Sequence, residues 1–377
     1  MATLTRRLAG NVTTVFNGTS MIGMNLIPRL AKAGSQMVIA YRGSIYDNEH
    51  LKVAAGPGQV FFSHYHLQDE DSLREAMRHS NIVVNTVGKM NETRNFSFWD
   101  VHVEGPRLMA RVAREMGVEK FIHISAMNCS PHPTPWVLKN GSQFLRTKYY
   151  GELAVREEFP EAIIFRPSDI VGERDSFVNH FTSTYRSRYT YKCPLWDYYD
   201  GVEKQPVFIR DLNAAIEAAI LNDSANGKTF QAVGPHRYRL YDLVEYIRAS
   251  GGQGVMHYCE ITNMRWDLLR FTTSILERIQ KYPFITWERV ERDCISDEID
   301  PKLPTLKELG IRMTPIERVI EVLAFARPRE QRVEYVYETR PIVPLPERLD
   351  ETRAAEREAR MAGSRASIGG WQATAAA

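Results

Sequence analysis

The sequence predicts an α/β fold, a doubly wound parallel sheet with a smaller, mainly helical C-terminal part and an extended tail. Three observations carry this. A β-branched run, Val12 to Phe16, leads through a small-residue turn into an apolar helical pattern at Leu26, Ile27 and Leu30. Strand, tight turn and helix open a Rossmann-like dinucleotide-binding βαβ unit. Strand-like and helix-like segments then alternate over residues 12–233, as a parallel sheet requires. The pattern changes near residue 251 and again near 327. This gives a dinucleotide-binding domain over 1–250, with pieces of the C-terminal lobe interleaved from about 170. A helical lobe over 251–326 and an extended or disordered tail over 327–377 follow.

The first turn, Asn17-Gly-Thr-Ser-Met-Ile-Gly23, has an altered glycine fingerprint. Aligned on Gly23, the other two expected glycines fall at Asn17 and Ser20, with Gly18 one place late. Asn tolerates a left-handed backbone better than most residues, so the turn can survive. Ser20 puts a Cβ where a phosphate should approach the backbone. Asn17, Gly18, Thr19, Ser20, Met21 and Ile22 are the candidate pyrophosphate cradle, because a helix N-terminus offers free amides and a positive dipole end.

Gly34 is a plausible cap for the first helix. Met37–Tyr41 reads as the second strand, and Arg42 stands where a NAD site would place an acid. A guanidinium there suits a ribose 2′-phosphate; the plainer alternative is a solvated loop arginine. Val60–Phe62 reads as strand three, with Leu67 where adenine would lie. Asp69 to Asp71 cap a helix over Ser72–Arg78. Ile82–Gly88 reads as strand four. Its end offers Thr86, Val87 for the nucleotide floor, and Gly88 for close backbone approach, although any α/β protein can carry a Gly turn there. Pro106–Met116 is helical with Gly117 as cap, Phe121–Ser125 is strand five, and a helix over Gln143–Glu158 carries Lys148. Ala162–Pro167 is strand six. Gly227–Gly234 is a late strand between helices at Leu212–Leu221 and Tyr241–Ala249.

Composition sets limits. A chain of 377 residues with 44% hydrophobic and 25% charged residues can bury one large core or two smaller ones. A net charge of +2 gives no broad electrostatic case for nucleic acid. Cys129, Cys193, Cys259 and Cys294 are isolated, so reduced thiols and no zinc or disulfide framework are expected. No apolar run reaches the length of a membrane span. Arg6 and Arg7 precede the first strand too closely for a whole transit peptide.

In the C-terminal lobe, Met264–Ile279 is amphipathic. Packing on the first domain is the favoured reading, and contact with a membrane surface or partner is the sharper one. Leu306–Leu309 and Pro315–Ala326 read as short helices. Pro341, Pro344 and Pro346 stiffen the start of the tail. Glu347–Met361 is charged enough to be a solvated helix, and Gly363–Ala377 is small and polar. A tail of this kind is expected to float or wrap a partner.

These landmarks resemble the short-chain dehydrogenase/reductase superfamily in its extended, atypical branch. The resemblance implies a catalytic Tyr-x-x-x-Lys pair, in which Tyr exchanges a proton and Lys lowers its pKa and holds the ribose. This chain reads Phe144-Leu-Arg-Thr-Lys148: the lysine stands and the hydroxyl is gone. Tyr149 and Tyr150 follow Lys148 and project elsewhere on a helix. Ser125 stands near the expected catalytic serine, but Ala126 and Met127 follow it.

An ordered set of strings narrows the resemblance. It includes Tyr41-Arg-Gly, His79-Ser-Asn-Ile-Val-Val-Asn, Gly117-Val-Glu-Lys-Phe-Ile-His-Ile-Ser, Arg166-Pro-Ser-Asp-Ile-Val-Gly and Ile285-Thr-Trp-Glu-Arg-Val-Glu-Arg. From about residue 12 to about 326 the chain resembles the Rossmann-fold accessory subunits of mitochondrial respiratory complex I (NADH:ubiquinone oxidoreductase), alpha subcomplex subunit 9 type. The resemblance implies a non-catalytic subunit that holds NADPH structurally and supports the matrix arm near the quinone region. It further implies a peripheral place on the matrix side of the mitochondrial inner membrane, with other complex I subunits as partners and lipid within reach of Met264–Ile279. Ile124, Ser125, Lys148, Pro167 and Ile170 are then expected around the nucleotide with the turn residues, Arg42, Leu67 and Thr86–Gly88. The chain departs from the family at Asn17 and Ser20, which leaves NADPH retention open. Two alternatives compete. One is a free NADP-dependent reductase or epimerase using Ser125, Lys148 and a displaced tyrosine. The other is a nucleotide-sensing or RNA-binding module, against which the near-neutral charge argues.

Overall fold

Seven parallel strands form the central sheet. They are β1 (Val12–Phe16), β2 (Gln36–Tyr41), β3 (Val60–His64), β4 (Ile82–Asn85), β5 (Lys120–Ile124), β6 (Ile163–Pro167) and β7 (Thr229–Ala232). Their order is β3-β2-β1-β4-β5-β6-β7. The direction of winding therefore reverses between β1 and β4, where open α/β sheets place their ligand crevice. The computed structural model describes residues 7–182, 192–250, 260–265, 269–279, 283, 285–326 and 344–353.

Helices cover both faces, as a sheet of Val/Ile-rich parallel strands requires. On one face α1 (Met21–Ala33) buries Leu26, Ile27 and Leu30 beside α6 (Ile209–Leu221). On the other, α2 (Glu70–Met77), α3 (Gly105–Glu115) and α4 (Gln143–Glu158) pack through Leu73, Met109 and Val155. The element ends follow capping chemistry. Gly34 is left-handed at φ 94° and closes α1 on the Leu30 and Ala31 carbonyls. Asp69 accepts from the Asp71 amide at the start of α2. The helix after Ser97 opens with a wide π turn over Asp100–Glu104, which the sequence pattern does not announce.

The chain leaves the sheet after β6, builds part of a second lobe, and returns for α6 and β7. That lobe has its own core, in which Phe177, Phe181, Leu243, Val244, Val290 and Ile320 meet. Its helices are α5 (Phe177–Thr182), α7 (Leu240–Ser250), α8 (Leu269–Ile279), α9 (Trp287–Asp293) and α10 (Ile316–Ala326). Within it, Glu260–Asn263 forms a short parallel ladder with Lys192–Leu195.

Three expectations need correction. Strand four stops at Asn85, and Thr86 to Gly88 continue as irregular chain that lines the crevice. Met264 is not on the amphipathic helix: it follows the 260–263 strand and lies buried in the second core, and the helix itself runs over Leu269–Ile279. On that helix Phe271, Ile275 and Ile279 are 68%, 57% and 75% exposed, while Thr273 is buried. These three members of the expected apolar stripe are therefore not covered by the first domain; Trp266 and Leu268 lie outside the described residues. Finally, residues 344–353 do not float. The Leu349 amide donates to the Arg237 carbonyl at 2.9 Å and its side chain is buried. Arg348 pairs with Glu317 at 2.8 Å, Asp350 accepts from the Arg237 amide at 3.1 Å, and Arg353 meets Glu203. The segment stays down because these charges find opposite ones supplied by distant parts of the second lobe. Gly363–Ala377 and most of the expected Glu347–Met361 helix lie outside the described residues.

Candidate nucleotide site

A cavity of about 320 Å³ opens at the ends of β1, β4, β5 and β6 and is roofed by the second lobe. The turn after β1 forms one rim. Asn17 adopts φ 63°, the left-handed conformation its side chain tolerates. Gly18 is wedged so closely that an added Cβ would stand 2.7 Å from Ile39 Cγ2. Gly23 is equally constrained: a Cβ there would meet the Gly18 and Asn17 carbonyl oxygens at 2.8 and 2.9 Å. Ser20 has a structural task. Its Oγ accepts from the Gly23 amide at 3.0 Å and pairs with Thr86 Oγ1 at 2.8 Å. Thr86 Oγ1 in turn donates to the Phe16 carbonyl at 2.7 Å, so the turn is stitched to the end of β4. The serine thus takes one amide that an anion could have used. It leaves those of Met21 and Ile22, which the helix cannot satisfy internally, at the cavity rim.

The floor and far wall come from β4–β6 and α4. Val87, Gly88, Ile124, Ser125, Pro167 and Ile170 all line the cavity. Lys148 is buried, its Nζ donates to the Ile124 carbonyl at 2.9 Å, and it lies 3.6 Å from where a Cβ on Gly88 would stand. Burial lowers its pKa to about 8. The Ser125 hydroxyl is buried and has no hydrogen-bond partner among the described residues. Behind it, Asn85 Nδ2 and His123 Nδ1 lie 3.2 Å apart, and burial followed by Lys148 lowers His123 to about 3. That histidine is neutral and structural.

Phe144 lines the same cavity. It lies one turn before Lys148, is buried, and packs edge-on against Phe98 and His102 at 6.1 and 5.1 Å. The Arg292 guanidinium caps the ring at 4.3 Å. A phenyl group held in this way has no proton to exchange. Tyr149 and Tyr150 do not replace it: they form an edge-on pair, with Tyr150 beside Trp99, away from the cavity lining.

Four expected residues are not in the lining. Gly18 shapes the turn from beneath, and Thr19 is exposed on its outside. Leu67 is buried against Gly105. Arg42 is exposed at the end of β2, 6.0 Å above the Tyr65 ring, and has no ion pair among the described residues. It is therefore free to meet a group that extends past the rim.

The roof escaped the sequence reading. Lys204 is buried 3.6 Å from Asp169 and 3.8 Å from Asp297. Arg289 pairs with Asp293 at 2.9 Å. Asp297 also receives the Ser168 hydroxyl and the Gln205 amide, the latter at 2.8 Å. These residues come from three separate stretches, and apart from the i, i+4 spacing of Arg289 and Asp293 no spacing rule joins them.

The profile of the NAD dependent epimerase/dehydratase family matches residues 15–232. A rat protein named NADH dehydrogenase (ubiquinone) 1 alpha subcomplex subunit 9, mitochondrial, is 40% identical over 339 residues, 89% of this chain and 85% of the relative. The chain belongs to that subunit 9 family. A more distant member, the Neurospora crassa NADH-ubiquinone oxidoreductase 40 kDa subunit, is 30% identical over 82% of this chain and 77% of its own. A crystal structure of a putative epimerase from Burkholderia cenocepacia shares the fold, with a TM-score of 0.57 at 17% identity over 84% of this chain and 98% of that one. The family therefore combines an epimerase-like scaffold, and the nucleotide site that scaffold implies, with relatives named as mitochondrial subunits of an enzyme complex. No helix among the described residues is long and apolar enough to cross a membrane.

Proposed function

We propose that the chain is an accessory subunit of mitochondrial complex I that holds NADPH as a structural ligand and performs no redox step. The observation that carries this reading is Phe144, fixed between Arg292, His102 and Phe98 where a proton-donating tyrosine would have to stand.

The residues present fit the nucleotide. The Met21 and Ile22 amides face the place of the pyrophosphate, Gly88 lines the cavity without a side chain to fill it, and the orphaned Ser125 hydroxyl can meet a polar group. Lys148 supplies a buried cation for the ribose, and Arg42 supplies a guanidinium for the 2′-phosphate. Bound NADPH would bring a hydride, but the proton that must accompany hydride transfer has no donor at position 144. The Lys148 ammonium is turned to the Ile124 carbonyl and serves to bind. A nucleotide held at concentrations far above its Kd adds several kcal/mol to stability by mass action.

The subunit reading places the chain peripherally on the matrix side of the inner membrane. The exposed Phe271, Ile275 and Ile279 stripe of α8 is then the surface offered to lipid. The decisive experiment is mild detergent extraction of mitochondrial membranes, separation by size, and detection of this chain by mass spectrometry. Co-migration with NADH dehydrogenase activity is expected, with NADPH extractable from the same band. Migration as a small soluble protein would defeat the reading and return the free-reductase alternative.

A further inference from the structure

The nucleotide cavity adjoins a second, solvent-open pocket of about 350 Å³, lined by Met90, Asn91, α5 and the start of α9. Arg289 and Arg292 line both spaces. Arg292 has no ion pair among the described residues. Its Nε reaches the Glu288 carbonyl at 3.4 Å, its Nη1 faces the Met90 sulfur at 3.3 Å, and its Nη2 is buried without a hydrogen bond. Arg289 is only 9% exposed; Asp293 occupies its Nε, and its Nη2 also lacks a hydrogen bond, with Asp169 no nearer than 3.8 Å.

Leaving buried guanidinium donors unmet is costly, and a planar fork is met best by a planar or tetrahedral oxyanion. Burial lowers Arg292 to about 10, and Arg289 beside it acts in the same direction. Asp293, Glu288 and Asp169 act the other way, and a bound anion would add to them. The Phe144 ring, useless for proton transfer, orients this arginine by capping its face.

We propose that the Arg289–Arg292 boundary binds the carboxylate or phosphate group of a small polar molecule, beside the nucleotide cavity and away from its pyrophosphate cradle. The rest of the second pocket suits the body of such a ligand. Asn91, Ser176, Asn179 and Thr286 present hydroxyl and amide groups around it, with Pro283 and Met90 as its apolar surface. The site concerns the second lobe and does not depend on what the glycine turn retains.

The test is calorimetric titration of the full chain with inorganic phosphate and, separately, with malonate, each without and with saturating NADPH. Saturable binding of at least one probe is expected, unchanged by NADPH. R292Q should weaken it roughly tenfold or more, and R292K, which keeps the charge but not the fork, should fall between. A preference for phosphate would identify a phosphorylated ligand, and a preference for malonate a carboxylate. Absence of saturable binding by the parent chain overturns the proposal even if the variants do not fold. So does binding abolished by NADPH, which would place the probe at the pyrophosphate cradle, and so does undiminished binding by a folded R292Q.

Discussion

The sheet-side wall of the cleft and its second-lobe roof surround the same space with opposite materials. The wall is largely backbone and uncharged side chains: Asn17, Ser20 to Ile22, Thr86 to Gly88, and one buried lysine. The roof is a set of charges, with Lys204, Arg289, Asp293 and Asp297 buried and Asp169 and Arg292 half-buried. Backbone amides are fixed by secondary structure and cost little to keep aimed. Buried ions hold only while their partners do, because a lone charge cannot be hydrated inside. The wall should therefore be robust to charge changes and sensitive to added atoms, and the roof the reverse.

The largest effect tests the roof. Lys204→Met strands Asp169 and Asp297, both within 4 Å of its ammonium. A loss of about 3–5 kcal/mol of stability is expected, read by chemical denaturation. A small change would show that the roof is hydrated and that its charges are not structural. Next comes the wall. Gly23→Ala drives a Cβ against two carbonyl oxygens at 2.8 and 2.9 Å. It should cost about 1–3 kcal/mol and weaken NADPH retention by displacing the cradle. Retention equal to the parent would detach the turn from the pyrophosphate.

Lys148 belongs to the wall and behaves like the roof. Its folded pKa is about 8 against an ordinary 10.5. Between these values the unfolded chain keeps the proton that the folded chain has released, so stability of the ligand-free protein should rise with pH there. Nucleotide contact favours the ammonium and must recover that proton. NADPH affinity should then fall with pH above about 8, by up to roughly tenfold per unit. Lys148→Met should flatten this profile, and a pH-independent Kd in the parent would remove Lys148 from the nucleotide site.

Arg42→Ala is expected to lower retention of NADPH relative to NADH by about tenfold, the scale of one charge-assisted contact at an exposed rim. Equal retention of both nucleotides in parent and variant sinks the 2′-phosphate assignment. The smallest stability effect lies outside the cleft. Phe271→Glu changes a residue that is 68% exposed, so thermal stability should move by less than about 0.5 kcal/mol. Its binding to anionic vesicles should nevertheless fall; an unchanged vesicle affinity would deny α8 a lipid role.

What could be read in advance tracks the wall. Asn17 in a left-handed turn, Gly34 and Gly117 past helix ends, and Phe144 four residues before Lys148 are local statements, and local chemistry decides them. Ser20 shows the limit. Its place in the turn is legible, but its bond to Thr86 required the chain just past β4, 66 residues away, to be in place. The α8 stripe shows another. Its apolar periodicity said that a face should be covered, whereas Thr273 and Ser274 turn inward, the latter to the Trp287 indole at 3.0 Å. Periodicity measures which residues share a face and is silent on which face a neighbour takes.

By itself the sequence determined the parallel α/β order, the cradle turn, the surviving lysine and the absent tyrosine. Each is set by period, φ preference or side-chain identity within a few residues. Only the tertiary structure decided that Arg292 would cap Phe144, that residues 344–353 would lie on the second lobe, and that Asp169, Lys204, Arg289 and Asp297 would meet above the cleft. Charges separated along the chain attract through space, and their pairing is fixed only when the folded backbone brings them within a few ångströms and removes the water between them.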